Sequence, residues 1–389
     1  MSVSPKNSIR SNPEPPAGAM SQSGSTAWSC PSNIAIIKYW GKRPVQLPMN
    51  PSLSITLSKA LTNTRLDWVV DRSVKPVEKG PAHLAFFFEK KKAPAFETRI
   101  KTYLASLTDH FPWLPYSRLS IHSENTFPHS SGIASSASAM GALALCLCDM
   151  DMVLAQKGSP VPRNGQGGDP PAPGDKAFFK RASEIARLGS GSASRSLYGN
   201  MVLWGKSDEW KGSSDAFAIP VEDIHPEFNE IHDSILIVES GAKKVSSSLG
   251  HSLMDNHPYA AARFNQAHLN LSRLKGILSS GDWQGFIEVL ESEALSLHAM
   301  MLTSNPGFLL FKPETLSIIE KIRTFREETG LPLGFTLDAG ANVHLIYKAN
   351  ASEPVVSFID TELKEHCENR YYIRDRMGTG PIKLESNET

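Results

Sequence analysis

The hydrophobic pattern along this chain changes period many times. The run 53–57, Leu-Ser-Ile-Thr-Leu, alternates like a half-buried strand. Residues 33–39 read as a buried strand, and 65–70, 84–88, 119–122 and 201–204 as further strands. Helical spacing occupies 98–108 and 177–187. An apolar run over 137–147 starts directly after a serine-rich stretch and ends in Asp149 and Asp151, too short to span a membrane. Residues 234–238 predict a strand that opens a second lobe. Longer helical patterns follow at about 256–279, 282–301 and 313–329, the second capped by Asp282. Segments 334–337 and 343–347 predict strands, and 355–363 a helix. Strands and helices mix without a regular repeat, which predicts an α+β fold.

The pattern divides the chain into three parts. Residues 1–26 are rich in Ser, Pro, Gly, Asn and Gln and predict a disordered tail. Residues 27–225 form a first lobe and 226–389 a second. Residues 156–176, rich in Pro and Gly, predict a mobile surface insertion within the first lobe.

Composition narrows the function. Forty basic residues balance forty acidic ones in 389, so no overall field exists to hold nucleic acid and any anion site is local. The four cysteines make no C-x-x-C pair and no zinc spacing, which fits a reduced, cytoplasmic protein. The N-terminus lacks the apolar core of a signal peptide.

Three constellations carry chemistry. The first is Pro128-His129-Ser130-Ser131-Gly132-Ile133-Ala134-Ser135-Ser136-Ala137-Ser138. A helix entered through Gly and Ser offers free backbone N–H groups, a positive dipole end and hydroxyl donors, which suits phosphate; an ordinary N-cap is the plainer alternative. The second is Lys38-Tyr39-Trp40-Gly41-Lys42 behind a buried strand, either a solvated strand end or a cationic clamp for phosphate or carboxylate. The third is Gly189-Ser190-Gly191-Ser192-Ala193-Ser194-Arg195, a flexible loop or a second anion site in which Arg195 binds two oxygens at once. Asp338, before Ala339-Gly340, reads as a turn former or as a base kept ionised by nearby cations. His251, His257, His298 and His344 match no metal motif and read as surface or structural residues.

In this order the motifs resemble the GHMP kinase superfamily, and within it the diphosphomevalonate decarboxylase family. The resemblance covers about residues 28–347 and rests on N-I-A-x-x-K-Y-W-G-K-R, L-P-x-N-x-S-L-S-x-T-L, F-P-x-x-S-G-I-A-S-S-A-S-A, R-L-G-S-G-S-A-S-R-S and F-T-L-D-A-G-A-N. It implies a ribosomal-S5-like N-terminal lobe, a ferredoxin-like C-terminal lobe, a site in the cleft between them, and a homodimer. It implies that ATP, Mg²⁺ and (R)-5-diphosphomevalonate react to give isopentenyl diphosphate, CO₂, ADP and phosphate. Ser130, Ser131, Gly132, Ala134, Ser135, Ser136 and Ser138 would cradle ATP, with Ser135 or Ser136 near Mg²⁺. Asp338 would act on the 3-hydroxyl, Lys38 would neutralise developing charge, and Ser136 and Arg195 complete the implied catalytic set. Tyr39, Lys42, Ser190, Ser192, Arg195, Ser246 and Ser247 would hold substrate, with Lys38. The family's arginine beside the catalytic acid has Arg65 and Arg72 as candidates. A phosphomevalonate decarboxylase, a mevalonate-type kinase and a non-catalytic binder of the same fold are the alternatives.

Overall fold

A computed structural model describes residues 21–128, 133–159, 161, 170–241 and 247–385, the side chains of Ser247 and Ser248 excepted. Among these residues the larger sheet has eight strands. Its axis is Ser52–Asp71, twenty residues long, which pairs antiparallel with Ser21–Ala35 on one side. On the other side it pairs with Ser117–Asn125 and, at its opposite end, with Met201–Trp204. His83–Phe88 adds parallel to Ser117–Asn125. The predicted strands at 53–57 and 65–70 are therefore one strand. From Ala60 to Val70 it alternates strictly, with Thr62, Leu66 and Trp68 buried under helices. Over Ser52–Leu57 both faces are buried, so this end is not half-buried as its alternation predicts.

Helix Ser135–Gln156 lies under the sheet and is the centre of the first core, with Trp28, Leu104 and Phe178 packed around it. The apolar run extends through Asp149 and Asp151 because both carboxylates are satisfied inside. Asp149 accepts from the Trp28 indole at 3.0 Å and pairs with Lys383 at 2.8 Å. Asp151 accepts from Trp113 at 2.9 Å and pairs with Arg181 at 2.7 Å. The resulting helix is long and apolar enough to cross a membrane, but it is a mostly buried core helix.

The second sheet is antiparallel, in the order Leu333–Thr336, Val343–Lys348, Ile231–Leu236, Tyr372–Arg376. Helices Ala260–Ser280, Trp283–Leu302 and Pro313–Thr329 accompany it. Asp282 caps the second helix by accepting the Gly285 N–H at 3.0 Å, as predicted. The predicted helix at 355–363 begins instead at Ser352 and passes into a π-turn after Phe358.

A shared core joins the lobes: Ile37, Leu53 and Leu57 pack with Ile235, Leu271 and Phe286. Two of the predicted boundaries move. Ser21–Thr26 is not tail but the start of a strand paired with Leu66–Asp71. The C-terminal strand Ile382–Leu384 returns to the first sheet beside Ser21–Ala35, so 226–389 is not wholly a second lobe. The predicted strand at 33–39 ends at Ala35; the buried stretch that follows is irregular, with Ile36 and Ile37 both donating to the Leu53 carbonyl at 2.8 and 3.1 Å. Residues 1–20, 160 and 162–169 lie outside the described residues, and with them most of the predicted tail and part of the predicted insertion.

Candidate active site

The three constellations meet at one cleft of about 310 Å³. Lys38, Tyr39 and Lys42 line it from the chain leaving the first strand. Ala134, Ser135 and Ser136 line it at the start of helix Ser135–Gln156, where Ala134 takes a left-handed φ of 40° to turn the chain in. Ser190, Ser192 and Arg195 come from the 3-10 segment after helix Lys176–Gly189, and Asp338 from the loop after Leu333–Thr336. Gly191 is needed for close packing, because a Cβ there would lie 2.7 Å from the Trp204 ring and 2.8 Å from the Tyr39 hydroxyl.

Lys38 is 2% exposed, and its Nζ stands 3.4 Å from Asp338 Oδ1. Burial lowers the Lys38 pKa; the charge and hydrogen bond of Asp338 and the charge of Glu293 oppose it, while Arg195 adds to it. Arg195 is equally buried: Nε donates to Ser54 Oγ at 3.1 Å and Nη2 to Asn33 Oδ1 at 3.2 Å. Its Nη1 is buried with no partner among the described residues. A buried guanidinium with an unspent donor fits an anion. Burial lowers the Arg195 pKa to about 10 against the opposing charge of Asp338, so it stays cationic at neutral pH. Burial pushes the Tyr39 phenol up to about 12, so it keeps its proton. Burial lowers Lys42 as well. Neither Arg65 nor Arg72 reaches the site: Arg65 pairs with Asp67 at 3.0 Å and Arg72 sits in an exposed turn. Arg195 lines the same cleft as Asp338, whose charge opposes the lowering of the Arg195 pKa.

Ser138 leaves the predicted set. Its hydroxyl is buried against the sheet, 2.6 Å from Thr62 Oγ1, and also bonds the Ser135 carbonyl at 3.2 Å. Ser130, Ser131, Gly132 and Ser246 lie outside the described residues, as does the side chain of Ser247.

The histidines predicted as surface or structural residues are all buried. His251 accepts the Gly41 N–H at 3.0 Å and packs 4.6 Å from both Tyr39 and Trp40. Burial, then the charges of Lys42 and Arg195, hold it well below the usual histidine range, so it is a neutral acceptor. His298 lies 3.1 Å, through Nε2, from the Asp338 carbonyl, and burial lowers it to about 4. Its Nε2–H therefore donates to that carbonyl.

Sequence reasoning missed the frame behind these groups. Glu293, fully buried, accepts the Lys38 N–H at 2.8 Å and an Asn270 N–H at 2.7 Å, and forms an ion pair with Arg263. Arg263 also donates to the Lys38 carbonyl at 3.1 Å. Glu293 and His298 both belong to helix Trp283–Leu302. One helix of the second lobe thus holds the backbone of Lys38 and the backbone of Asp338. A second, largely apolar pocket of about 310 Å³ shares Ser135, Ser136, Met140 and Arg99 with the cleft and is walled by Phe86, Phe88 and Phe96.

Glu293→Gln is expected to lower kcat by about ten- to a hundredfold with KM little changed, because it loosens the placement of Lys38. The pH profile gives the second readout. If protonated Lys38 is the active form, activity is lost as pH rises through its lowered pKa, below the ordinary lysine value of about 10.4. Removing the Glu293 charge lowers that pKa further, so the alkaline limb moves to lower pH. A merely structural Glu293 would reduce the melting temperature and leave the limb in place. Turnover is normalised to folded protein, since Arg263 is left buried with less compensation.

A serine-edged helix start, a buried arginine and an acid–lysine pair in one interlobe cleft define an enzyme that handles phosphoryl groups on a small molecule. Comparison with known proteins agrees. Residues 30–167 and 175–218 match the diphosphomevalonate decarboxylase-like N-terminal domain. Residues 234–387 match the mevalonate 5-diphosphate decarboxylase C-terminal domain. The chain is 28% identical over 355 residues to diphosphomevalonate decarboxylase mvd1 of Aspergillus fumigatus, covering 87% of this chain and 81% of that protein. It is 26% identical over 378 residues to the Schizosaccharomyces pombe diphosphomevalonate decarboxylase, covering 92% and 86%. The mevalonate diphosphate decarboxylase structure from Staphylococcus aureus matches with a TM-score of 0.74 and 28% identity over 94% of this chain and 99% of that one. A complex of MDDEF with MVAPP, AMPPCP and magnesium matches with a TM-score of 0.74 and 26% identity over 94% and 100%. The chain belongs to the diphosphomevalonate decarboxylase family.

Proposed function

We propose that this protein catalyses ATP-dependent decarboxylation of (R)-5-diphosphomevalonate to isopentenyl diphosphate, CO₂, ADP and phosphate. The observation that carries the proposal is the Lys38–Asp338 pair at 3.4 Å, in a cleft edged by Ser135 and Ser136 on one side and Ser190, Ser192 and Arg195 on the other.

The 3-hydroxyl of the substrate lies against Asp338, which orients it or takes its proton during attack on the γ-phosphate of ATP. Lys38, protonated and desolvated, neutralises charge on the transferring group. Phosphorylation converts the hydroxyl into a leaving group; as it departs, positive charge builds at C3 and the adjacent carboxylate is lost as CO₂. Arg195, through its unspent Nη1, holds an anionic end of the substrate, with Ser190, Ser192, Tyr39 and Lys42 completing the grip. The helix start at Ser135–Ser136 receives the ATP phosphates, and the aromatic pocket beside it takes the base. The two hydroxyls are hard oxygen donors of the kind Mg²⁺ accepts alongside phosphate, so Ser135 or Ser136 fits the metal. Bound there, Mg²⁺ would supply charge neutralisation across the phosphates. A cytoplasmic homodimer belongs to the same proposal: the described cysteines are all free thiols, which suits a reducing compartment, and the dimer follows from the family resemblance.

Comparing kcat/KM for 5-diphosphomevalonate and 5-phosphomevalonate tests the substrate. The diphosphate is expected to be preferred by about tenfold or more, since it adds charge-assisted hydrogen bonds. Equal or reversed preference would make the protein a monophosphate enzyme.

A further inference from the structure

A second concentration of positive charge lies where the two lobes join. A pocket of about 370 Å³ is lined by Lys59, His232, Tyr347, Arg374, Asp375 and Arg376. Strand register explains why they converge. Arg374 and Arg376 are two apart on one strand and so share a face of the second sheet. Arg376 pairs with His232, and His232 pairs with Tyr347 on the next strand. Lys59 enters from the first lobe, on Ser52–Asp71. The pocket's one carboxylate is already engaged: Asp375 accepts the backbone N–H groups of Ser58, Lys59 and Ala60 at 2.9, 2.8 and 2.8 Å, and of Arg376 at 2.7 Å. Lys59, Arg374 and Arg376 are exposed, and none of them forms an ion pair among the described residues.

Three cations held together in a concavity repel one another, and a multivalent anion among them relieves that repulsion. Two guanidinium forks on one sheet face suit phosphate oxygens, and the lysine adds a point charge. We propose that this pocket is a second, non-catalytic binding site for a diphosphate anion. Lys59 belongs to one lobe and the arginines to the other, so the occupant bridges the lobes away from the cleft.

His232 reports on the site. Burial lowers its pKa, Arg376, Arg374 and Lys59 lower it further, and Glu230 opposes. Asp375 and Tyr347 complete its surroundings in the pocket.

The test is an NMR titration of the His232 ring, assigned through His232→Gln, with inorganic diphosphate and separately with isopentenyl diphosphate at constant ionic strength. The expected result is a saturable rise of the His232 pKa by about one unit. The rise should persist in Arg195→Ala, which impairs the cleft, and vanish in R374Q/R376Q with turnover and melting temperature unchanged. Lys59→Gln, in the other lobe, should weaken it independently of any folding defect in the double variant. A stronger response to the organic diphosphate identifies an organic occupant, and an equal one free diphosphate; both support the site. A response that chloride reproduces at the same ionic strength is charge screening and overturns the proposal. So does a full response in R374Q/R376Q.

Discussion

Asp338→Asn is expected to keep nucleotide binding and to lower turnover by about a thousandfold, the range lost when a positioned base is removed. Asn matches Asp in shape and still offers an oxygen toward Lys38, so the cleft keeps its form. It cannot take a proton, and it withdraws the negative charge that opposes the lowering of the Lys38 pKa. Two effects therefore fall on one step. The Ser135–Ser136 end of the cleft belongs to a helix of the other lobe, and ATP affinity should hold. Single-turnover ADP formation, measured beside calorimetric nucleotide binding, separates the two. Near-normal turnover would remove Asp338 from the chemistry.

Arg195→Ala is expected to raise KM for diphosphomevalonate by about ten- to a hundredfold, the worth of one charge-assisted hydrogen bond to an anion. ATP affinity should change little. The variant also frees Asn33 Oδ1 and Ser54 Oγ, both of which Arg195 bonds, so some stability is lost with the affinity. Equal weakening for both ligands would mean that the 190–195 loop serves the nucleotide as well, and steady-state KM for each ligand distinguishes the cases.

The chemistry was more legible in the sequence than the scaffold. Lys38, Arg195 and Asp338 stand in short motifs whose residue types announce an anion site, and the fold brings all three to one cleft. What was hidden acts through the backbone. Glu293 holds an N–H of Lys38 and His298 a carbonyl of Asp338, contacts that need no particular residue at the receiving position and leave no spacing to read. The aromatic pocket escaped for a related reason, because Phe86, Phe88 and Phe96 look like ordinary core positions. Among the elements, the patterns at 53–57 and 65–70 predict two separate strands. In the fold, the Ser58 and Lys59 amides are held by Asp375 of the other lobe and the strand continues. Asp149 and Asp151 end the apolar run in the sequence, and nothing there shows that they are buried, because their indole and cation partners lie far away along the chain.

The most direct measurement is incubation with ATP, Mg²⁺ and (R)-5-diphosphomevalonate, following ADP and CO₂ together. The two are expected to be released in equal amounts. ADP without CO₂, or neither product, would contradict the proposed function.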